Sequence, residues 1–115
     1  MREIIFYRTA SGRCPVEEFL DTLSDKQVEK ILWVLRLVES LDPVPKSYFK
    51  RLPDTDGIWE VRVQLGSDIF RLLGFWVESQ LIVLTHGFAK KAQKVPRKEI
   101  QAAQQRRKDY LQRRG

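Results

Sequence analysis

The sequence predicts a mixed α+β fold, in which an N-terminal strand and a helical hairpin pack on one face of a mainly antiparallel sheet. Two patterns carry this prediction. Apolar residues recur at helical spacing between residues 15 and 41, and they then alternate with a period of two between residues 48 and 88. A basic segment that opens with a proline predicts one more helix at about 96–113.

The first half of the chain supplies the strand and the hairpin. The segment EIIFYR (3–8) is rich in β-branched and aromatic residues, which favour a strand. PVEEFLDTL (15–23) begins with a proline suited to the first turn of a helix. Ser24 and Gln27 have the spacing of a capping box. The apolar stripe of the second helix comprises Val28, Ile31, Leu32, Leu35 and Val38, and DPVP (42–45) ends that helix.

Four further segments predict the strands of a meander, giving the order β-α-α-β-β-β-β before the last helix. They are YFKRL (48–52), IWEVRVQL (58–65), DIFRLLGFWV (68–77) and QLIVLTHGF (80–88). Short turns between consecutive strands favour antiparallel pairing.

Turn length sets the expected register. A two-residue turn at 66–67 pairs Arg62 with Arg71, and one at 78–79 pairs Arg71 with His86. Glu60 then lies on the same face as this rung. The opposite face, which the helical hairpin should cover, is expected to hold Trp59, Val61, Val63, Phe70, Leu72, Trp76 and Val83. The charged face is expected to include Leu73, Phe75 and Leu84.

A face with two adjacent arginines has two interpretations at this point. Like charges across strands are destabilising, so a compensating negative charge is required. Glu60 supplies it in a structural ion-pair cluster, or a bound phosphate supplies it in a functional site whose rim carries Lys90 and Lys91. Sequence pattern leaves both open.

Composition narrows the classes of function. The 115 residues fit a single domain (1–115) with a net charge of +6. Residues 1–87 hold 11 Lys/Arg against 13 Asp/Glu, whereas residues 88–115 hold 10 against 2. This asymmetry has two interpretations, a polyanionic or acidic partner or a solvated helix that keeps the protein soluble. One cysteine, no signal-peptide pattern and no long apolar run predict a cytoplasmic protein without disulfides or membrane contact.

The chemistry that these residues allow is acid–base catalysis on a phosphodiester without a metal or cofactor. One cysteine and one histidine give no metal-ligand spacing, and nucleotide-binding glycine motifs are absent. RNA carries its own nucleophile, the 2′-hydroxyl. Glu60, His86 or a lysine of lowered pKa is a candidate for proton transfer, and Arg62, Arg71, Lys90 and Lys91 are candidates for charge stabilisation. Base and acid are not assigned.

Three motifs together resemble the RelE/ParE superfamily of toxins, in particular its phage-derived, HigB-like branch. They are WEVR (59–62), FRLL (70–73) and HGFAKK (86–91), followed by KVPRKEI (94–100) at the start of the last helix. The resemblance implies a type II toxin that cleaves mRNA on the ribosome and is neutralised by a helix-turn-helix antitoxin. A gyrase-inhibiting toxin, a free ribonuclease and an inactive RNA- or protein-binding module are the alternatives.

The resemblance also places particular residues. Arg71 matches the phosphate-contacting arginine of the family, and Arg62 the basic position of the preceding strand. Further contacts to RNA phosphates, including rRNA, are assigned to Lys50, Arg51, Lys94, Arg97, Lys98, Arg106 and Arg107. The chain departs from the family pattern by lacking a tyrosine near the end of the loop after residue 91 and a hydroxyl residue at Ala92 or Val95. The last helix, with a thin apolar stripe of Ile100, Ala103, Tyr110 and Leu111, is expected to dock lightly.

Overall fold

A computed structural model describes residues 2–90 and 93–114, and within them the chain forms five strands and three helices. The strands are β1 (Glu3–Phe6), β2 (Phe49–Arg51), β3 (Trp59–Leu65), β4 (Asp68–Glu78) and β5 (Leu81–Ala89). The helices are α1 (Pro15–Leu20), α2 (Asp25–Ser40) and α3 (Arg97–Arg114). One sheet has the order β1-β5-β4-β3-β2, with β1 parallel to β5 and all other pairs antiparallel. The predicted fold class is confirmed.

The helical hairpin forms as its sequence predicts. Pro15 occupies the start of α1, where its missing N–H has no helical partner to lose. At the start of α2 the Ser24 side chain accepts from the Gln27 backbone and the Gln27 side chain accepts from the Ser24 backbone. One residue of the predicted apolar stripe is wrong: Leu32 is 36% exposed, and Val34 is buried in its place.

The sheet is covered on both faces. One face packs against α1 and α2 around a core that includes Val61, Val63, Phe70 and Leu72. The other face packs against α3, which buries Ala103 completely. The expected light docking of α3 agrees with the structure, because Ala103 is the one buried residue along the described helix and Ile100 and Tyr110 are half-buried over two small apolar clusters. Leu111, expected in the stripe, stays 40% exposed.

Polar contacts fasten the second half of α3. Tyr7 donates from its hydroxyl to Asp109 at 2.6 Å, and Arg113 donates to the same carboxylate at 2.7 Å and to the Arg8 carbonyl. These hydrogen bonds lower the pKa of Asp109, with the Arg113 bond as the larger cause. Arg114 pairs with Glu78 on β4. The helix is thus held at a fixed position over the sheet. No helix within the described residues has the length and apolar character required to cross a membrane.

The register is as predicted between β3 and β4 but not between β4 and β5. Arg62 faces Arg71, which confirms the two-residue turn at 66–67. The next turn lies at 79–80, and register shifts between Leu73 and Gly74 and between Trp76 and Glu78 interrupt the ladder. Arg71 therefore faces Phe88, whereas His86 faces Leu73.

These irregularities exchange two core positions. Between them Phe75 pairs with Val83 and Gly74 pairs with Leu84. Val83 consequently lies under α3 with Phe75, and Leu84 lies in the core under the helical hairpin, opposite to the prediction for both. A single residue without a partner in the ladder changes the faces of all residues up to the next irregularity, because side chains alternate along a strand.

Candidate functional site

The charged side chains lie on the α3 face of the sheet, in two neighbouring rungs. One rung runs from Lys50 through Glu60 and Leu73 to His86, and the next pairs Arg62 with Arg71 and then Phe88. The predicted grouping of Arg62, Arg71 and His86 on one face is correct. Their predicted position on a single rung is wrong, because the irregular β4–β5 ladder displaces His86 by two residues.

Glu60 and Arg71 form a buried ion pair. Arg71 Nη1 donates to Glu60 Oε2 at 2.7 Å. Arg71 is 6% exposed and Glu60 is 1% exposed. Arg71 Nη2 also donates to the Gln93 carbonyl at 3.0 Å. The structure thus contains the ion pair expected from the sequence, and the partner of Glu60 in it is Arg71. Among the described residues, the buried Nε atoms of Arg62 and Arg71 have no hydrogen-bond partner.

A cleft of about 350 Å³ opens beside this pair, between the ends of β4 and β5 and the first turn of α3. Its lining is Arg71, Phe88, Ala89, Lys90, Lys94, Pro96, Lys98 and Glu99. Four of these described residues are cationic and one is acidic, so the cleft is suited to an anion. We call it the cationic cleft.

The position of Lys90 connects the cleft with the charged rungs. Its pKa is lowered, first because the amine is partly removed from water, then because of the nearby positive charges of Arg71 and Arg62. Glu60 opposes this shift, and Lys50 adds to it. The charges of Lys50, Arg62 and Arg71 therefore all act on Lys90, and the Glu60 carboxylate opposes them.

His86 stands beside the cleft and is held from both sides. It is 7% exposed, and its Nδ1 lies 2.9 Å from Thr85 Oγ1. Thr85, which has no partner in the β4–β5 ladder, donates its hydroxyl to the Leu73 carbonyl at 3.2 Å. With that proton used, the Thr85 oxygen is free to accept from Nδ1–H, which leaves Nε2 to exchange a proton with its other neighbour.

That neighbour is Glu99, in the first turn of α3. Its Oε1 lies 3.3 Å from His86 Nε2, within ion-pair range but without the geometry of a hydrogen bond. The pKa of His86 is lowered by burial and by the charge of Arg106, while Glu99 raises it by a smaller amount. The imidazole is therefore neutral near pH 7, with a carboxylate beside the nitrogen that would take up a proton.

The other residues predicted for the site fall into three groups. Lys94 and Lys98 line the cationic cleft, and Arg97 is exposed at the start of α3. Arg106 and Arg107 are half-buried further along that helix, where Arg107 contacts Asp56 at 3.5 Å. Lys50 and Arg51 are exposed on β2. Lys91 lies outside the described residues, as do Met1, Ala92 and Gly115.

Sequence reasoning missed two site residues, Gln93 and Glu99. A glutamate in the first turn of a helix already has a structural explanation, since it stabilises the positive end of the helix dipole. Only the docking of α3 onto the sheet reveals its contact with His86. Gln93 accepts a hydrogen bond from Arg71 through its backbone carbonyl, and a pattern of side chains cannot predict such a contact. Within residues 2–90 and 93–114, no three His, Cys, Asp or Glu side chains cluster in a way that suits a metal ion.

Comparisons with known proteins give one family match. The profile of the family described as "Phage derived protein Gp49-like (DUF891)" matches residues 18–108. A comparison with curated protein sequences finds no match. Among solved structures, the chain is similar to the crystal structure of the archaeal RelE–RelB complex from Pyrococcus horikoshii OT3, at 19% identity and a TM-score of 0.43. That likeness covers 74% of this chain and 96% of the other, and at this identity and TM-score it carries no functional argument.

Proposed function

The chain belongs to the Gp49-like family of phage-derived proteins, and on this premise we propose that it is the toxin of a type II toxin–antitoxin system that cleaves mRNA on the ribosome. The observation that carries the proposal is the cationic cleft. Four cationic side chains surround an opening of about 350 Å³ whose acidic residue contacts a buried histidine. Three of the motifs that resemble the HigB-like branch of RelE/ParE toxins contribute to its lining: FRLL (70–73), HGFAKK (86–91) and KVPRKEI (94–100).

The reaction would be an attack of the RNA 2′-hydroxyl on the adjacent phosphorus, with release of the 5′-oxygen. The hydroxyl proton would leave to the Glu99–His86 pair, whose Nε2 and Oε1 atoms are 3.3 Å apart. Arg71 and Lys90 would face the phosphoryl oxygens, where their charge stabilises the pentavalent transition state. A lysine whose pKa is lowered, as Lys90 is, releases a proton more readily to the leaving oxygen.

The remaining charged residues receive supporting roles in this proposal. Glu60, as the buried partner of Arg71, is a positioning residue that fixes the direction of the guanidinium. Arg62 adds positive charge beside it. Lys94 and Lys98 would hold neighbouring phosphates, while Arg97, Arg106 and Arg107 on α3 would contact rRNA or the acidic surface of an antitoxin. A helix-turn-helix antitoxin and a cytoplasmic location complete the proposal.

The test is induced expression in bacteria, followed by mapping of RNA ends. The parent chain should arrest growth and produce new 5′ ends within translated messages. Lys90→Ala and Glu99→Gln should each abolish both effects at equal soluble expression, because they remove cleft groups without removing a buried ion pair. Lys26→Ala, a change to an exposed lysine of α2, is the matched control and should behave as the parent.

Other outcomes select other functions. Normal growth at confirmed soluble expression would overturn the proposal of an active toxin. A DNA-damage response without RNA cleavage would indicate a gyrase-inhibiting toxin. Cleavage of purified RNA without ribosomes would indicate a free ribonuclease, and the residue roles in the cleft would remain testable in that simpler assay.

A further inference from the structure

A second pocket lies at the outer edge of the sheet, on the face opposite to the cationic cleft. We propose that it binds one unpaired base of a single-stranded RNA together with its phosphates, as a subsite flanking the cleft; the inference rests on the proposed function. Its aromatic floor is Phe49, Trp59 and Trp76, and its rim includes Lys46, Lys50 and Arg51. We call it the aromatic pocket.

The floor consists of three conjugated rings in mutual contact. Phe49 and Trp59 are stacked, with centroids 4.7 Å apart and planes at 29°. Trp76 meets Trp59 edge to face at 6.1 Å and 85°. Phe49 is buried, whereas Trp59 and Trp76 are half-buried and so present part of each indole to the pocket. A planar base stacks on such a surface whatever its sequence, which is the usual basis of single-strand binding.

The rim supplies the charge that a nucleotide requires. Lys46, Lys50 and Arg51 are all exposed. Arg2, which also lines the pocket, is already used, because its guanidinium donates to the carbonyls of Val38 and Leu41 and lies 3.5 Å from Asp42. Three exposed cations and one acidic residue, Asp42, which Arg2 already contacts, surround the aromatic floor. This lining complements a ligand that is flat, apolar on its faces and anionic at its margin. A nucleotide has all three properties, whereas the side chain of an acidic residue lacks the flat face.

Lys50 links the aromatic pocket with the charged rungs on the other face of the sheet. This lysine lines the aromatic pocket, and its charge also contributes to lowering the pKa of Lys90. Its neighbours on β2 divide between the faces, since Phe49 points into the core beneath the helical hairpin and Lys50 lies on the rung of Glu60. An RNA strand that leaves the cleft across β2 would therefore meet Lys50 first and the indoles next. The pocket would hold a nucleotide outside the cut site.

Tryptophan fluorescence tests the aromatic pocket directly. Trp33 is 43% exposed on α2, so Trp33→Phe removes its emission and leaves Trp59 and Trp76 as reporters. The titrant is a 2′-O-methyl hexanucleotide, which cannot be cleaved through its 2′-oxygen. We expect saturable quenching by this hexamer, and binding weaker by about tenfold or more for an abasic hexamer of equal charge, since base–aromatic stacking contributes on this scale.

Substitutions on the rim separate the pocket from its surroundings. Lys46→Gln combined with Arg51→Gln should weaken quenching by the hexamer severalfold, because the two changes remove two positive charges from the rim. Lys26→Gln combined with Arg36→Gln, two exposed cations of α2, is the charge-matched control and should leave the titration as in the parent. Circular dichroism of each variant should match that of the parent, because all four side chains are exposed.

The outcomes discriminate between the pocket and the proposed function. Equal affinity for the normal and abasic hexamers would overturn the pocket, as would quenching by an acidic peptide but not by the hexamer. Base-dependent quenching without RNA cleavage in cells would support the pocket while contradicting the nuclease. Cleavage that depends on Lys90, combined with no quenching at millimolar hexamer, would overturn the pocket alone.

Discussion

Breaking the Glu60–Arg71 pair separates the structural from the functional role of this site. Arg71→Met leaves the Glu60 carboxylate 1% exposed without its partner. At the observed 2.7 Å the attraction is about 6 kcal/mol for an effective dielectric constant of about 20. Desolvation offsets part of this, and removing one member of a buried pair costs about 3–5 kcal/mol. The total stability of a domain is about 5–15 kcal/mol, so the melting temperature should fall by roughly 10–20 °C.

The matched variant removes both charges. Glu60→Leu with Arg71→Met replaces the pair by apolar side chains of similar size, a change that is often neutral or stabilising for buried ion pairs. Urea unfolding of the parent, both single variants and the double variant gives the coupling energy, which we expect to exceed about 2 kcal/mol. The double variant should be as stable as the parent and yet fail to cleave mRNA, because Arg71 lines the cleft.

Two results would refute this reasoning. If Arg71→Met changes the free energy of unfolding by less than about 1 kcal/mol, the carboxylate does not depend on its partner. If the folded double variant still cleaves mRNA, Arg71 acts only in folding. An alanine scan without the double variant would confuse these cases, since loss of fold and loss of chemistry both abolish growth arrest.

Three further predictions concern the cleft, the histidine and the sheet. Lys90→Ala should weaken the binding of single-stranded RNA at low salt and reduce the magnitude of the slope of log K against log[salt] by about 0.7, as measured by fluorescence anisotropy. An unchanged slope would contradict a contact between Lys90 and a phosphate. Burial lowers the pKa of His86 below 6.5, so the unfolded chain takes up a proton at this residue more readily than the folded chain as pH falls through that value. The free energy of unfolding, measured by urea titration, should therefore decrease from about pH 6.5 downward. His86→Gln should flatten this part of the pH profile. Gly74→Ala places a methyl carbon 2.5 Å from the Val83 carbonyl oxygen and should lower stability by about 1–3 kcal/mol in thermal unfolding, whereas no change would mean that the strands separate easily at this point.

The sequence allowed the fold class, the element order and one of two strand registers to be predicted, for a physical reason. The Gly66–Ser67 turn is short, and Gly66 adopts a positive φ of 62°, which glycine tolerates without strain. A tight turn leaves few alternatives, so Arg62 and Arg71 are fixed opposite each other. The charged face and the mutual proximity of its arginines follow directly from this turn.

The other register could not be obtained from turn length, because two irregularities intervene between β4 and β5. A glycine within a strand is a signal for such a feature, and Gly74 stands at one of them. A glycine does not indicate, however, how many residues are left unpaired, so it does not predict on which face of the sheet Val83 and Leu84 lie. Glu99 was beyond prediction for a different reason, since its contact with His86, 13 residues earlier in the chain, depends on how α3 docks on the sheet.

The adjacency of Arg62 and Arg71 implies a trade-off between the stability of this chain and its proposed function. Two like charges share a rung, and Arg62 Nε is buried without an acceptor among the described residues. Selection for stability alone would favour replacing Arg62, whereas under the proposed function the replacement removes a positive charge beside Arg71. Variants that gain thermal stability through a substitution of Arg62 should accordingly be tested for loss of the proposed activity, because stability at such a position is gained at the expense of anion binding.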